Sequence, residues 1–124
     1  MDKYLIIGMG AFLGANARYL LGTWAAQKWG ASFPYGTLVI NITGSLTLGV
    51  FLAATTGRLA VDPRWRLFFA IGFLGAYTTF STYTYESLQL LLNGDWKLGL
   101  LNIAGSNGLG LLGAVAGILL GRRL

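Results

Sequence analysis

The chain has no cysteine and no histidine among its 124 residues. These absences remove disulfide frameworks, thiol nucleophiles, zinc sites of the usual kind and imidazole acid–base chemistry. Acids are nearly as scarce: Asp2, Asp62, Glu86 and Asp95 are the whole supply. Glu86 is expected to have no second carboxylate near it to act as partner, so ordinary catalysis is poorly supported and the chain is not expected to be an enzyme. Charged residues make up 10% of the total, whereas a soluble domain carries about a quarter. No basic run is interleaved with aromatics, so nucleic acid is not an expected partner.

What is abundant is apolar: 55% of residues are hydrophobic and 19 are glycine. Residues 1–124 read as one all-α integral membrane domain with spans at about 4–29, 35–56, 67–92 and 98–121. No cleavable signal is evident, because the N-terminal apolar run lacks a small-residue cleavage site and continues to a full spanning length. The second run, from Tyr35 to Thr56, is uncharged; its length of about 33 Å is enough for the hydrocarbon core.

Near the start, Tyr4 to Gly14 imitates a strand and a dinucleotide-binding glycine turn. No acid follows at the ribose-binding distance and no βαβ pattern exists, so close helix packing is the better account. Gly10 and Gly14 lie four apart, as do Gly113, Gly117 and Gly121, and both sets form packing ridges. Arg18 is the one charge inside the first run. An arginine at membrane depth costs about 2.5 to 3.5 kcal/mol on insertion scales unless it snorkels or finds a partner. Either snorkelling or a functional role accounts for it.

The third run carries the most unusual stretch, with hydroxyls at Thr78, Thr79, Ser81, Thr82 and Thr84 directly after Gly72 and Gly75. Such residues compete with helical hydrogen bonding or crowd the preceding turn, so a helix break is expected between Gly75 and Thr78. Its carbonyls would suit a cation, since unwound backbone at membrane depth must be satisfied by protein, ion or water. Phe80, Tyr83 and Glu86 or Ser87 then recur at helical spacing. Glu86 reads either as a functional intramembrane acid or as a solvated interfacial one.

Thr37, Asn41 and Ser45 form a stripe on the second run, and Asn102, Gly105, Ser106 and Asn107 form a polar patch early in the fourth. Asn41 reads either as interhelical glue or as a solute contact. Together with the third-run hydroxyls these groups are neutral donors without a fixed negative charge among them, which favours a small anion. The electropositive edges of Phe80 and Tyr83 add to the same preference. A pore is the best-supported site, and one short chain is thin for it, so oligomerisation is expected.

Four spans put both termini on one side with the Arg58–Arg66 loop. That side holds Lys3, Arg58, Arg64, Arg66, Arg122 and Arg123, against Lys28 and Lys97 on the other. The bias predicts cytoplasmic termini.

The segments Gly75-Ala76-Tyr77-Thr78-Thr79-Phe80-Ser81-Thr82-Tyr83-Thr84-Tyr85-Glu86 and Gly36-Thr37-Leu38-Val39-Ile40-Asn41, with Arg18 and the four-span length, resemble the Fluc (CrcB-type) family of fluoride channels. The resemblance implies an antiparallel, dual-topology homodimer in the plasma membrane, with two fluoride pores lined by both subunits. Passive fluoride export across that membrane is the implied function. Phe80 and Tyr83 fall on the family's pore phenylalanines, and Asn41 falls on its pore asparagine. Thr37, Ser81, Thr82 and Glu86 fall on a polar track beside them. Ser106 and Asn102 are fourth-span candidates, and Arg18 is a structural or vestibule charge. Gly75 and Thr78 fall on a break whose carbonyls hold a structural sodium ion at the dimer centre.

Two features depart from the family pattern. Tyr83 stands where the second phenylalanine is expected, and its phenol would add a donor that holds fluoride longer. The basic bias of six to two also opposes equal insertion in both orientations. Two other readings of the chain are a proton-coupled small exporter using Glu86 and a helical scaffold subunit of a membrane complex.

Overall fold

The computed structural model describes residues 2–124, and among these every regular element is helical. Helix α1 (Lys3–Trp29) begins under a cap in which the Asp2 carboxylate accepts the Tyr4 N–H at 2.6 Å. Helix α2 is Tyr35–Thr56. Helix α3 (63–77) starts at Asp62-Pro63, a capping acid followed by proline in the first turn, with Asp62 Oδ1 accepting the Arg64 N–H at 2.9 Å. It then widens into π-helix over Arg66–Leu74 before a last α-helical turn, Gly75–Tyr77. Helix α4 is Phe80–Leu92 and helix α5 is Trp96–Gly121.

Three of these helices, α1, α2 and α5, are each long and apolar enough to cross a membrane. Their outward faces are oily: Phe12, Leu20, Leu111, Leu112 and Leu119 are all exposed. A surface of this kind is at home in lipid, and the chain is an integral membrane protein. The expected third span exists as two pieces, α3 and α4, joined at an interruption.

That interruption lies slightly beyond the expected position. Gly75 keeps helical dihedrals (φ −62°, ψ −36°), and the chain leaves the helix only at Thr78 (φ −82°, ψ 158°) and Thr79 (φ −150°, ψ 121°). Glycine weakens a helix without being able to end it; a partner on α2 does that, as described below. The π-helical segment was not foreseen from the sequence.

The fold is held by two close backbone pairings, α2 on α5 and α1 on the π-helical part of α3. A Cβ on Gly10 would collide with the Phe68 carbonyl, and one on Gly14 with the Phe73 carbonyl. Gly72 answers from the other side, where a Cβ would lie 2.6 Å from the Ile7 carbonyl. On the second pairing Gly117 and Gly121 seat against the Leu46 and Val50 carbonyls, and Gly49 sits against Ala114. Both ridges expected from the sequence therefore do the packing. Without water to expel between helices in lipid, such close approach is the main source of association.

The ends of the molecule sort as the span count requires. Ile6 shares a surface hollow with Asp62 and Arg64, and Gly121 packs on Val50 and Ala53 near the end of α2. At the opposite end, residues 30–35 face Gln89, Asn93 and Asp95 across another hollow.

Candidate functional site

The site is built around the interruption between α3 and α4. In an unbroken helix the Thr79 N–H would go to the Gly75 carbonyl. Here it is donated instead to Asn41 Oδ1 at 2.8 Å, while Asn41 Nδ2 donates to the Thr79 carbonyl at 2.9 Å. One side-chain amide thus pairs both backbone groups of a single residue, as a neighbouring strand would. Asn41 is interhelical glue, and it also lines the cleft beside the break.

Two further substitutions complete the break. Thr79 Oγ1 accepts the Thr82 N–H at 3.3 Å and caps α4, and Arg18 Nε donates to the Ala76 carbonyl at 3.0 Å. The arginine is half-buried and satisfies a carbonyl that the missing turn leaves open. The Gly75 and Thr78 carbonyls have lost their i+4 amides, to Asn41 and to Thr79 Oγ1 respectively. Unsatisfied carbonyls at this depth are what a cation would seek.

A cleft of about 320 Å³ opens beside the break. It brings together Asn41, Ser45, Gly75, Thr78, Phe80, Tyr83, Ser106 and Asn107, so α2, α3, α4 and α5 all contribute to it. Phe80 is 76% exposed and Tyr83 8%, with ring centroids 5.8 Å apart and planes at 54°. The two rings are neighbours, but only Phe80 projects from the wall.

Behind Tyr83 runs a polar chain. Ser106 Oγ donates to Asn102 Oδ1 at 3.1 Å, Asn102 Nδ2 donates to Ser87 Oγ at 2.8 Å, and Ser87 Oγ donates to the Tyr83 carbonyl at 2.8 Å. Asn102 and Ser87 are buried, so this network is satisfied internally. Asn102 is accordingly a link between α4 and α5, and Ser106, at its outer end, reaches the cleft. The Tyr83 hydroxyl is already engaged too. It accepts from Asn107 Nδ2 at 2.7 Å and makes a long 3.4 Å donation to the Ile103 carbonyl.

The remaining predicted residues are not on this cleft. Thr37 and Glu86 line a separate hollow of about 490 Å³ near the 30–35 turn. Thr37 and Thr82 also line a smaller one with Arg18. Ser81 is exposed and joins none of the three. Glu86 Oε1 is buried and has no hydrogen-bond partner. Asp95 lines the same hollow as Glu86, brought there by the tight Asn93-Gly94 turn, whose Gly94 has φ 85°.

Asn107 was legible only as one donor of the fourth-run polar patch and Ser87 only as a position at helical spacing after Phe80 and Tyr83, because the bonds they make join α4 to α5. Tyr77 was missed as well. It ends a stack of rings, Phe69, Phe73 and Tyr77, and its hydroxyl meets Thr43 Oγ1 at 2.9 Å, which fixes the last turn of α3 against α2.

Comparison with known proteins places the chain in a family. Residues 5–118 match the family described as CrcB-like protein, Camphor Resistance (CrcB). A protein of Sulfurihydrogenibium sp. (strain YO3AOP1) is 48% identical over 124 residues, the full length of both chains. One of Koribacter versatilis (strain Ellin345) is 53% identical over 105 residues, covering 85% of this chain and 83% of its own. One of Clostridium perfringens (strain 13 / Type A) is 42% identical over 120 residues, 97% of this chain and 94% of its own. All three bear the name fluoride-specific ion channel FluC, which describes a channel and not an enzyme. With a family match over nearly its whole length and relatives this similar from end to end, the chain belongs to the CrcB-like family.

Proposed function

We propose that the protein is a fluoride-selective channel giving passive export of fluoride across the plasma membrane. The observation that carries this reading is the end-to-end similarity to relatives named as fluoride-specific ion channels. The cleft at the break supports it chemically. Fluoride is small and strongly hydrated, so a selective path must replace water with several convergent donors. Asn41 keeps one amide hydrogen beyond its bond to Thr79, Ser45 offers a hydroxyl, and the edges of Phe80 and Tyr83 are electropositive. No carboxylate lines this cleft, which is what an anion path requires.

The working unit in this reading is an antiparallel homodimer with two pores, each walled by both subunits. A cleft open along one side of a single chain is half a pore, and a second copy supplies the missing wall. Thr37, Ser81, Thr82 and Glu86 extend the polar route away from the rings, and Arg18 is the charge at its side. The carbonyls of Gly75 and Thr78, from each subunit, would hold a sodium ion at the centre. Their freedom from i+4 amides and their hard oxygen character fit such an ion. Bound there, sodium supplies a fixed positive charge that ties the two breaks together.

One observation favours the proton-coupled exporter instead: the buried, unpartnered Oε1 of Glu86, on a hollow that Asp95 also lines. Efflux from liposomes containing only the purified chain distinguishes the readings. A channel releases fluoride without a proton gradient and excludes chloride. Absence of fluoride efflux, or equal chloride efflux, would overturn the channel reading, and strict dependence on a pH gradient would install the exporter.

A further inference from the structure

We propose that the groove between the start of α1 and the start of α3 binds one anionic phospholipid, with its phosphate at Lys3 and Arg64 and an acyl chain lying along Gly8. The inference is independent of what the protein transports.

Two hollows meet at Phe68. The outer one, of about 340 Å³, is lined by Ile6, Asp62, Arg64, Trp65 and Phe68. The inner one, of about 520 Å³, follows α1 from Tyr4 to Leu13 past Gly8, Met9 and Phe12, and no charged side chain lines it. Gly8 leaves its floor open, since a Cβ there would meet nothing within 4 Å. Phe68 is the wall on α3, its ring set nearly perpendicular to that of Trp65 with centroids 5.9 Å apart.

Length decides the class of occupant. Tyr4 to Leu13 is nine helical rises, about 13.5 Å, and half of a bilayer's hydrocarbon core is about 15 Å. The groove is therefore one leaflet deep. A spanning helix of another chain would need an apolar face of about 30 Å. On this face of α1 the exposed stripe Leu5, Met9 and Phe12 instead runs into Asn16, which is exposed as well. An acyl chain ends where that polar residue begins.

Charge decides the head. Lys3 Nζ lies 5.2 Å from the centroid of the Tyr4 ring, at the mouth of the inner hollow. Arg64 Nε faces Asp62 Oδ1 at 3.7 Å, beyond hydrogen-bond reach, and the two side chains are 69% and 53% exposed. So loose a surface pair contributes little, which leaves the forked donors of the guanidinium to a phosphate. Among side chains, only Asp2 and Asp62 oppose the six basic residues at this end, so an anionic head gains more here than a zwitterionic one. Trp65, 55% exposed, sets the mouth at headgroup level. The Phe68 carbonyl is also what Gly10 packs against, so a lipid seated on Phe68 braces the pairing of α1 with α3 from outside.

The test titrates the purified, delipidated protein in neutral detergent with dioleoyl phosphatidylglycerol, or with phosphatidylcholine of the same chains. Bound lipid is read by native mass spectrometry and stability by melting temperature. One phosphatidylglycerol retained per chain, with melting that rises to a plateau, is the expected result, and phosphatidylcholine is expected to do neither. Lys3→Gln with Arg64→Gln is expected to weaken phosphatidylglycerol binding about fivefold for each charge removed. The backbone cap on Asp62 survives that change. Gly8→Leu places a side chain where the acyl chain lies, and is expected to abolish retention while melting without lipid stays at or above that of the parent.

Equal response to both lipids would reduce the site to hydrocarbon contact. Undiminished binding in Gly8→Leu would leave only diffuse charge attraction, and undiminished binding in the double variant would remove the headgroup from the argument. Each of these results overturns the proposal. Gly8→Ile repeats the measurement should the leucine variant fail to assemble; failure of both would mean that another chain covers this face, which overturns it too.

Discussion

Asn41 and Phe80 sit on the same cleft, yet their side chains answer to different demands. Asn41 is committed on both sides of its amide to Thr79 and so holds the break open, whereas Phe80 is 76% exposed and supports little within its own chain. Asn41→Asp keeps the acceptor for the Thr79 N–H but replaces the donor with a second oxygen facing the Thr79 carbonyl. It also puts a negative charge on the anion path. The expected result is a loss of about 1–3 kcal/mol in stability, read as a lower melting temperature in detergent, together with at least about tenfold less fluoride flux. Phe80→Ile removes a ring edge without leaving a backbone group unpaired, so it is expected to lower flux while melting stays as in the parent. Equal melting in Asn41→Asp would mean that Asn41 does not hold the break.

At the scale of elements, the glycine ridges and the break differ in how well the sequence announces them. Gly10 with Gly14, and Gly113 with Gly117 and Gly121, are patterns within one helix, so small residues four apart identified both packing faces directly. The break announced itself only as a density of hydroxyls. Its position depends on Asn41, 38 residues away, and no local pattern encodes that pairing. The same holds for the Asn107–Tyr83 and Asn102–Ser87 bonds, each of which joins two helices. Periodicity reports what one helix shows its surroundings; which neighbour answers is settled by packing. The ridges also admit a sharp comparison. A methyl at Gly117 meets the Leu46 carbonyl and the Val50 amide of α2, while a methyl at Gly8 meets nothing within 4 Å. Gly117→Ala is therefore expected to destabilise by about 1–3 kcal/mol, through forced separation of α2 and α5. Gly8→Ala is expected to be neutral or stabilising by up to about 1 kcal/mol, from helix propensity alone. Thermal unfolding of the two variants side by side checks both signs.

The whole molecule presents a conflict between its charge pattern and its open cleft. Six basic residues cluster at the end holding the termini and the 57–66 loop, with Lys28 and Lys97 at the other end. That bias alone favours insertion with the termini in the cytoplasm. The cleft argues for something else. The Ser45 hydroxyl and the second amide hydrogen of Asn41 face a hollow that, in a lone chain within a bilayer, would leave them without partners. Closing the hollow with a second copy related by a two-fold axis in the membrane plane satisfies them, but needs chains of both orientations. The energy of completing two polar clefts would then act against the insertion bias, with paired chains retained and unpaired ones lost. Because the chain has no cysteine, single introduced cysteines report orientation cleanly. Ser32→Cys and Leu59→Cys lie in exposed turns at opposite ends and leave every charge in place. With an impermeant reagent added to whole cells, about half of each variant is expected to react, as an antiparallel pair requires. Reaction of Ser32→Cys alone would mean that the charge bias prevails, and that the second wall of the cleft has to come from a parallel copy or from another protein.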